Sequence, residues 1–482
     1  MNILLIKPPL NPNLLIPNHD EPLELEYLAA AAREQRVEIL DMRIDKNLMK
    51  KLGTFRPDMV GITAYSCDVK YAKNVLQEVK KYNGRIKTVI GGHHATLLPH
   101  DFAVPFVDAI FLGASDFSFR EFVGVMSGGG DAESVNNIAL VKENGLHFTG
   151  QVPFDQNLDL LPLPARHLTL QYRKNYRDSM KNQTGLILTS RGCPYRCNFC
   201  ACWKIMDGKY VARSPESIVE EFAGLPDDID LVCFADDNTL HSQRRVRRFI
   251  ELIKARRIKK RFMMYARADT IVNYPGLIES LKDIGLEYLL VGIESFRDDE
   301  LNRMNKKTSV QINNQAIRIL RELGVGISPH LMVNPNYTRE DFRQLFKYVC
   351  DTDLFRPVFT VLTPLPGTDL YDENQDHIVI KDYDYFDFTH SIFPTKLNRK
   401  EFYSEYANLY KKSYSFRRFF KNKFKNWRSF LKKSQDLRPS HPDRLSFYQM
   451  LFLHVYGIPV YFKVKNIYKS EPIIEPQILA GL

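Results

Sequence analysis

Leu186-Ile187-Leu188-Thr189-Ser190-Arg191-Gly192-Cys193-Pro194-Tyr195-Arg196-Cys197-Asn198-Phe199-Cys200 is the stretch on which the reading of this 482-residue chain turns. Leu186–Ser190 reads as an apolar strand, and three cysteines follow it in a short loop containing Gly192 and Pro194. Thiolates suit iron–sulfur clusters and zinc. Three of them on a four-iron cluster leave one iron open to a small molecule. Structural zinc with Cys202 as a fourth ligand is the alternative, although such sites usually draw on two separated ligand pairs and none is visible. The seven cysteines are odd in number and four crowd between Cys193 and Cys202, which is no disulfide framework. With no cationic leader in Met1-Asn2-Ile3-Leu4, the chain reads as a reduced, cytoplasmic protein.

Working outward from the loop, strand-like runs recur at Leu231–Phe234, Phe262–Tyr265, Tyr288–Ile293, Ile327–Met332 and Phe359–Leu362. Helical stretches such as Arg244–Ala255, Tyr274–Asp283 and Gln311–Leu323 lie between them. Six βα units are too few for a closed eight-stranded barrel and suit a partial one. Upstream, apolar runs at Ile3–Ile6, Val37–Leu40, Met59–Thr63, Thr88–Ile90 and Ala109–Leu112 alternate with helices. Fully apolar strands of this kind belong to a parallel sheet covered on both faces. The expected architecture is thus α/β. A doubly wound parallel sheet occupies 1–150, a linker 151–180, a partial (β/α)6 barrel 181–400 and a helical, basic, aromatic region 401–482.

Three further strands end in polar residues where a barrel places its active site. They are Asp236-Asp237-Asn238, Arg267 and Glu294. Each has a local alternative: Asp237 and Asn238 as helix caps, Arg267 paired with a surface carboxylate, Glu294 paired with Arg297. His330 reads as a packed barrel residue. In the first domain, Gly91-Gly92-His93-His94 follows the fourth strand, where an open α/β sheet sets its ligand loops.

The spacing C-x-x-x-C-x-aromatic-x-C after the first strand of a partial barrel resembles the radical S-adenosylmethionine (SAM) superfamily. That resemblance implies a 4Fe–4S cluster on Cys193, Cys197 and Cys200, with the open iron chelating the amino and carboxylate groups of SAM. It puts Phe199 near the adenine, the Asp236/Asp237 turn at the amino group, and Arg267 and Glu294 at the carboxylate and ribose. The family's Gly-Gly-Glu at that turn is absent. An α/β domain ahead of the barrel resembles the cobalamin-binding members, in which a glycine loop such as Gly91-Gly92-His93 lets the backbone approach the corrin. The D-x-H-x-x-G motif is missing, so histidine ligation through it is not expected, and Gly113-Ala114-Ser115-Asp116 stands where relatives often carry Gly-Glu-Gly-Glu. Glu21–Glu26, Cys200–Lys204, Phe359–Thr368 and Phe393–Lys396 resemble the hopanoid C-3 methylase branch, over residues 1–412. The implied reaction is methylation of an unactivated carbon in a hopanoid-like lipid. The implied partners are a hydrophobic small-molecule substrate and a reductant such as flavodoxin or ferredoxin.

Composition fits this frame. Hydrophobic residues make up 44% and charged residues 26%, which excludes disorder for the bulk of the chain. Of 67 Lys and Arg against 57 Asp and Glu, eight basic residues fall between Ser413 and Lys433, where no acid occurs. Basicity is therefore local, and nucleic acid is not an expected partner. Phe416, Phe420, Phe424, Trp427 and Leu431 recur at helical spacing within that segment, the signature of a helix lying on an anionic membrane surface. A basic-faced helix packed on the barrel is the alternative. Leu445–Phe462 is uncharged but broken by Gly457 and Pro459, and reads as a buried or interfacial hairpin. Peripheral attachment to the inner face of the membrane is the resulting expectation.

Overall fold

The computed structural model describes residues 1–14, 19–178, 182–354, 356–415, 461–469 and 471–472. Its first sheet takes five parallel strands: β1 (Asn2–Lys7), β2 (Arg36–Asp41), β3 (Met59–Thr63), β4 (Lys87–Gly91) and β5 (Ala109–Phe111). Helices α1 (Leu23–Ala31), α2 (Leu48–Phe55), α3 (Val69–Tyr82), α4 (His93–Leu97) and α5 (Asp116–Ser127) connect and follow them. Successive residues of β1 serve different cores. Leu4 and Ile6 pack on one face with Leu52 and Leu76 of α2 and α3, while Ile3 and Leu5 pack on the other with Leu25 and Phe122 of α1 and α5. That is why the strand reads as a continuous apolar run. The chain winds outward both ways from β1, so a ligand crevice opens at the carboxyl ends between β1 and β3. An antiparallel hairpin, β6 (Ile138–Lys142) and β7 (Gly145–Phe148), then extends the edge beyond β5. These two short strands, past the Ser127–Gly130 break, were not among the expected elements.

The second sheet holds β8 (Thr184–Ile187), β11 (Leu231–Phe234), β12 (Phe262–Ala266), β13 (Leu286–Glu294), β14 (Gly326–Val333) and β15 (Val358–Val361), all parallel and in sequential order. It is the expected six-stranded partial barrel. Between β8 and β11, β9 (Ser190–Arg191) and β10 (Val211–Ala212) pair antiparallel and clip off the loop 192–210. Crossover helices start on side-chain caps, Ser214 before Pro215–Gly224, Ser309 before Val310–Leu323 and Thr338 before Arg339–Asp351. Phe222, Phe234, Phe249 and Phe262 fill the layer between sheet and helices with edge-on and tilted ring contacts.

Helix Arg399–Ser413 closes the last strand, with Tyr406 and Tyr410 donating to the Phe359 carbonyl at 2.8 and 2.5 Å. Val464 and Ile467 are buried against the same core. The basic aromatic stripe from Phe416 and nearly all of Leu445–Phe462 lie outside the described residues. Among the described residues no helix is long and apolar enough to cross a membrane.

Candidate active site

The cysteine loop is built to close on itself. Gly192 has φ +78°, and a Cβ there would lie 2.1 Å from the Lys209 carbonyl, so only glycine permits the clip. Its N–H donates to Asp237 at 2.8 Å. Cys200 N–H donates to the Cys197 carbonyl at 3.1 Å, and the same carbonyl takes the Trp203 indole N–H at 3.0 Å. Cys193, Cys197 and Cys200 are free thiols on this turn. Burial pushes Cys193 and Cys197 up, while Lys306 and Arg267 oppose it at Cys197 by favouring thiolate. The Asn238 amide N–H points at Cys193 Sγ, 3.8 Å away. Among the described residues, no three His, Cys, Asp or Glu side chains are gathered as a single-ion site. The donor set is three soft thiols with cations behind them, which fits an iron–sulfur cluster.

The polar strand ends divide in function. Asp236 is buried and fully engaged: it accepts from the Thr189 and Ser190 N–H groups at 2.6 and 3.0 Å and from both hydroxyls. It ties the end of β11 to the chain leaving β8. Asp237, one residue on, faces the cavity described below. Neither it nor Asn238 caps a helix, since the next one begins at Gln243. Arg267 lies over the Tyr195 ring at 3.6 Å, pairs with Asp269 and donates to the Lys306 carbonyl at 2.8 Å, gripping the cysteine loop from β12. Glu294 pairs with Lys306 at 2.6 Å, and not with Arg297, which reaches Asp341. A register shift after Gly292 and φ +61° at Glu294 turn that carboxylate inward. Lys306 also stands 5.8 Å from the Phe199 ring. Sequence reasoning missed this lysine, because Asn305-Lys306-Lys307 reads as an ordinary basic loop.

Across from the cysteine loop, the carboxyl ends of the first sheet close a cavity of about 340 Å³. Gly91, Gly92, His93 and the Gly113–Asp116 turn line one side, and Ser190, Arg191, Cys202, Ala235 and Asp237 the other. Gly92 has φ +102°, and a Cβ would stand 2.7 Å from Thr63 Oγ1 and 2.9 Å from the Ala64 backbone. Glycine is therefore required at 92 by packing against the end of β3, and that packing sets the Gly91–His93 backbone on the cavity wall. His93 exposes its ring to the cavity edge-on to Tyr65, centroids 4.9 Å apart, and desolvation holds its imidazole below the ordinary value. His94 is turned away, between Ser66 at 3.0 Å and Asp101 at 2.8 Å. Asp116 accepts from Arg191 across the junction, so the altered turn still closes the wall.

A buried ionic knot holds the two halves in register. Arg166 pairs with Glu21 at 2.5 Å and Glu221 at 2.6 Å, and donates to the Leu186 carbonyl of β8. Glu21 in turn accepts from the Leu186 N–H, and Arg213 joins Glu221 to Tyr27. The Gly91–His93 loop and the Asp237 end of β11 therefore face each other across one fixed space.

Comparison with known proteins agrees with this division. Residues 16–123 match the B12 binding domain and residues 187–349 the radical SAM superfamily. The hopanoid C-3 methylase of Methylococcus capsulatus is 26% identical over 81% of this chain and 77% of its own. The anaerobic magnesium-protoporphyrin IX monomethyl ester cyclase of Rubrivivax gelatinosus is 28% identical over 79% of this chain and 68% of its own. In fold, the radical SAM methyltransferase TsrM of Kitasatospora setae, solved with cobalamin and a [4Fe-4S] cluster, superposes with a TM-score of 0.64 at 18% identity, covering 79% of each chain. With a B12 binding domain over residues 16–123 and a radical SAM domain over residues 187–349, this chain belongs to the cobalamin-binding radical SAM enzymes, which use a 4Fe–4S cluster, SAM and cobalamin.

Proposed function

We propose that the protein is a radical SAM methyltransferase that places a methyl group on an unactivated carbon of a hopanoid-like lipid. The observation that carries the reading is a cavity with Gly91, Gly92 and His93 on one wall and, on the other, Arg191, Cys202 and Asp237, which flank the cysteine loop. Polar methyl transfer needs a lone pair that an aliphatic carbon lacks. Bound here, the cluster with SAM supplies hydrogen-atom abstraction and the corrin supplies the methyl group.

The chain's part is to hold three reactants close and dry. In this reading Cys193, Cys197 and Cys200 take the cluster, and Phe199 packs beside the SAM adenine. Asp237 addresses the SAM amino group while Asp236 keeps the strand end in place. Arg267 and Glu294, each held by its own partner, serve the carboxylate and ribose. Gly91, Gly92 and His93 border the corrin. A flavodoxin or ferredoxin is the reductant, and the basic segment after Ser413 rests on the membrane surface. Liposome flotation that leaves the protein in solution would remove that last element.

The test is anaerobic turnover with SAM carrying a deuterated methyl group, a reductant and a pentacyclic triterpene, read by mass spectrometry. A labelled methyl in the product supports the reading. SAM cleavage without label transfer to any lipid favours a second reading, the same machinery performing another reaction on a natural product. The 28% identity to a cyclase keeps that second reading in view. Absence of SAM cleavage would leave only a binding role.

A further inference from the structure

His93 and Tyr65 stand together on the wall that the first domain gives the cavity, and both are held from behind. Their chain neighbours do the holding. The Ala64 N–H donates to the Gly91 carbonyl at 3.1 Å and the His94 N–H to the Ala64 carbonyl at 3.2 Å, so the ends of β3 and β4 are laced together one residue away from each ring. The buried His94 imidazole engages Ser66 Oγ through Nδ1 and Asp101 through Nε2. Asp101 also accepts from the Tyr383 hydroxyl. Phe102 and Tyr383 meet the His94 ring edge-on, centroids 5.8 and 4.7 Å away. Two adjacent histidines thus differ in kind. His94 commits both nitrogens to the scaffold, and His93 commits neither.

Among the described residues no hydrogen bond or ion pair engages the His93 ring, which meets Tyr65 edge-on. The charges that reach it are Asp237 across the cavity and the Lys7–Glu24 pair, closed on itself at 2.6 Å. Burial favours the neutral imidazole, whose unprotonated nitrogen keeps its lone pair. Other groups on the cavity are poorer donors to a metal. Glu24 is taken by Lys7, and Arg191 is taken by Asp116 and has no lone pair to give. Burial raises the Tyr65 phenol, so it keeps its proton. Cys202 belongs to the opposite wall. A neutral imidazole is the side chain that most often ligates a transition metal.

We propose that His93 supplies a nitrogen ligand to cobalt on the corrin face turned toward the first domain, leaving the face toward Asp237 and the half-barrel open for the methyl group. The inference rests on the placement of the corrin given under Proposed function and adds a ligand to it. It is independent of the D-x-H-x-x-G motif, which this chain lacks.

For the test, full-length protein is made with histidine carrying nitrogen-15 at both ring positions. It is reconstituted anaerobically with iron, sulfide and hydroxocobalamin, and reduced to the cobalt(II) state for electron paramagnetic resonance. The unpaired electron of cobalt(II) lies along the axial bond, and its lines are split by the nitrogen it meets there. Labelled wild type is expected to show doublets and unlabelled wild type triplets. His93→Gln should lose the histidine splitting, and free unlabelled imidazole should restore triplets in it. A triplet in labelled wild type would mean that the benzimidazole of cobalamin itself is bound, and lines without nitrogen splitting would mean that no nitrogen is. Either result overturns the proposal, as do doublets that survive in His93→Gln. The labelled wild-type spectrum decides even if the variant loses cobalamin, because His93 is the only imidazole among the described residues lining the cavity. Cobalt is measured on the same samples. Cobalt retained without histidine splitting overturns the ligation alone; wild type that retains no cobalt overturns the placement of the corrin and the ligation with it.

Discussion

Glu26→Gln probes the joint between the two domains. Glu26 sits on α1 with no exposed surface. One carboxylate oxygen accepts from the Thr169 hydroxyl at 2.5 Å, and the other has no hydrogen-bond partner. Arg166 is 3.6 Å away but is shared with Glu21 and Glu221 at shorter range. Burial, with the neighbouring charge of Glu21, pushes the Glu26 carboxyl from 4.5 up to about 8. A carboxyl raised on folding binds a proton that the unfolded chain releases. Its contribution is therefore intact below about pH 4.5 and is lost as pH climbs toward 8. At roughly 1.4 kcal/mol per pKa unit, the ceiling on that loss is about 5 kcal/mol. Glutamine keeps the shape and the acceptor for Thr169 but cannot ionise. Variant and wild type are expected to unfold together near the acid end of the range. The variant should then gain with pH, reaching roughly 2 kcal/mol or more by pH 8 once relaxation around the carboxylate is allowed for. At roughly 2–4 °C per kcal/mol this is a rise of several degrees in Tm. Thermal unfolding of both proteins from pH 5 to pH 9 measures it. Parallel profiles, or a variant less stable at pH 8, would mean that Arg166 fully compensates an ionised Glu26, and the argument would fail.

Replacing Cys193, Cys197 or Cys200 with alanine should each abolish iron binding and the visible cluster absorbance, while Cys202→Ala keeps both, as iron analysis after anaerobic reconstitution will show. Gly92→Ala should cut retained cobalamin by about tenfold, since its Cβ would strike Thr63 and the Ala64 backbone. Gly91→Ala, which meets Phe111 at an ordinary 3.4 Å, should do far less, and cobalt content after gel filtration separates the two. Lys306→Met strands the buried Glu294 carboxylate and should destabilise the fold by about 3–5 kcal/mol. Adding Glu294→Gln should recover most of that loss in Tm.

What could be read in the sequence was what is local or periodic. The cysteine spacing is a local signal, and the strand runs show which faces are covered because side chains alternate along a strand. The same alternation could have separated Asp236 from Asp237. Val232 and Phe234 share parity with Asp236 and face the helices, whereas Cys233 and Ala235 share parity with Asp237 and face inward. Contacts fixed by backbone irregularity were not legible. Arg297 is the nearer cation to Glu294 in sequence, but the register shift at Gly292 hands that carboxylate to Lys306.

Glu21–Glu26 makes the deeper point. It supported the resemblance to one branch of lipid methylases, which invites a catalytic role for its acids. Glu21 instead binds Arg166 and the β8 backbone, Glu24 binds Lys7 at 2.6 Å, and Glu26 lies buried beside Thr169. Arg166 is 145 residues from Glu21 in the chain, a separation no periodicity can reveal. The segment's work is to fix how far the glycine loop stands from the cysteine loop. In the proposed methylation one carbon loses a hydrogen atom and gains a methyl group, and the spacing of the two domains is then as much a requirement of the reaction as the residues on either side.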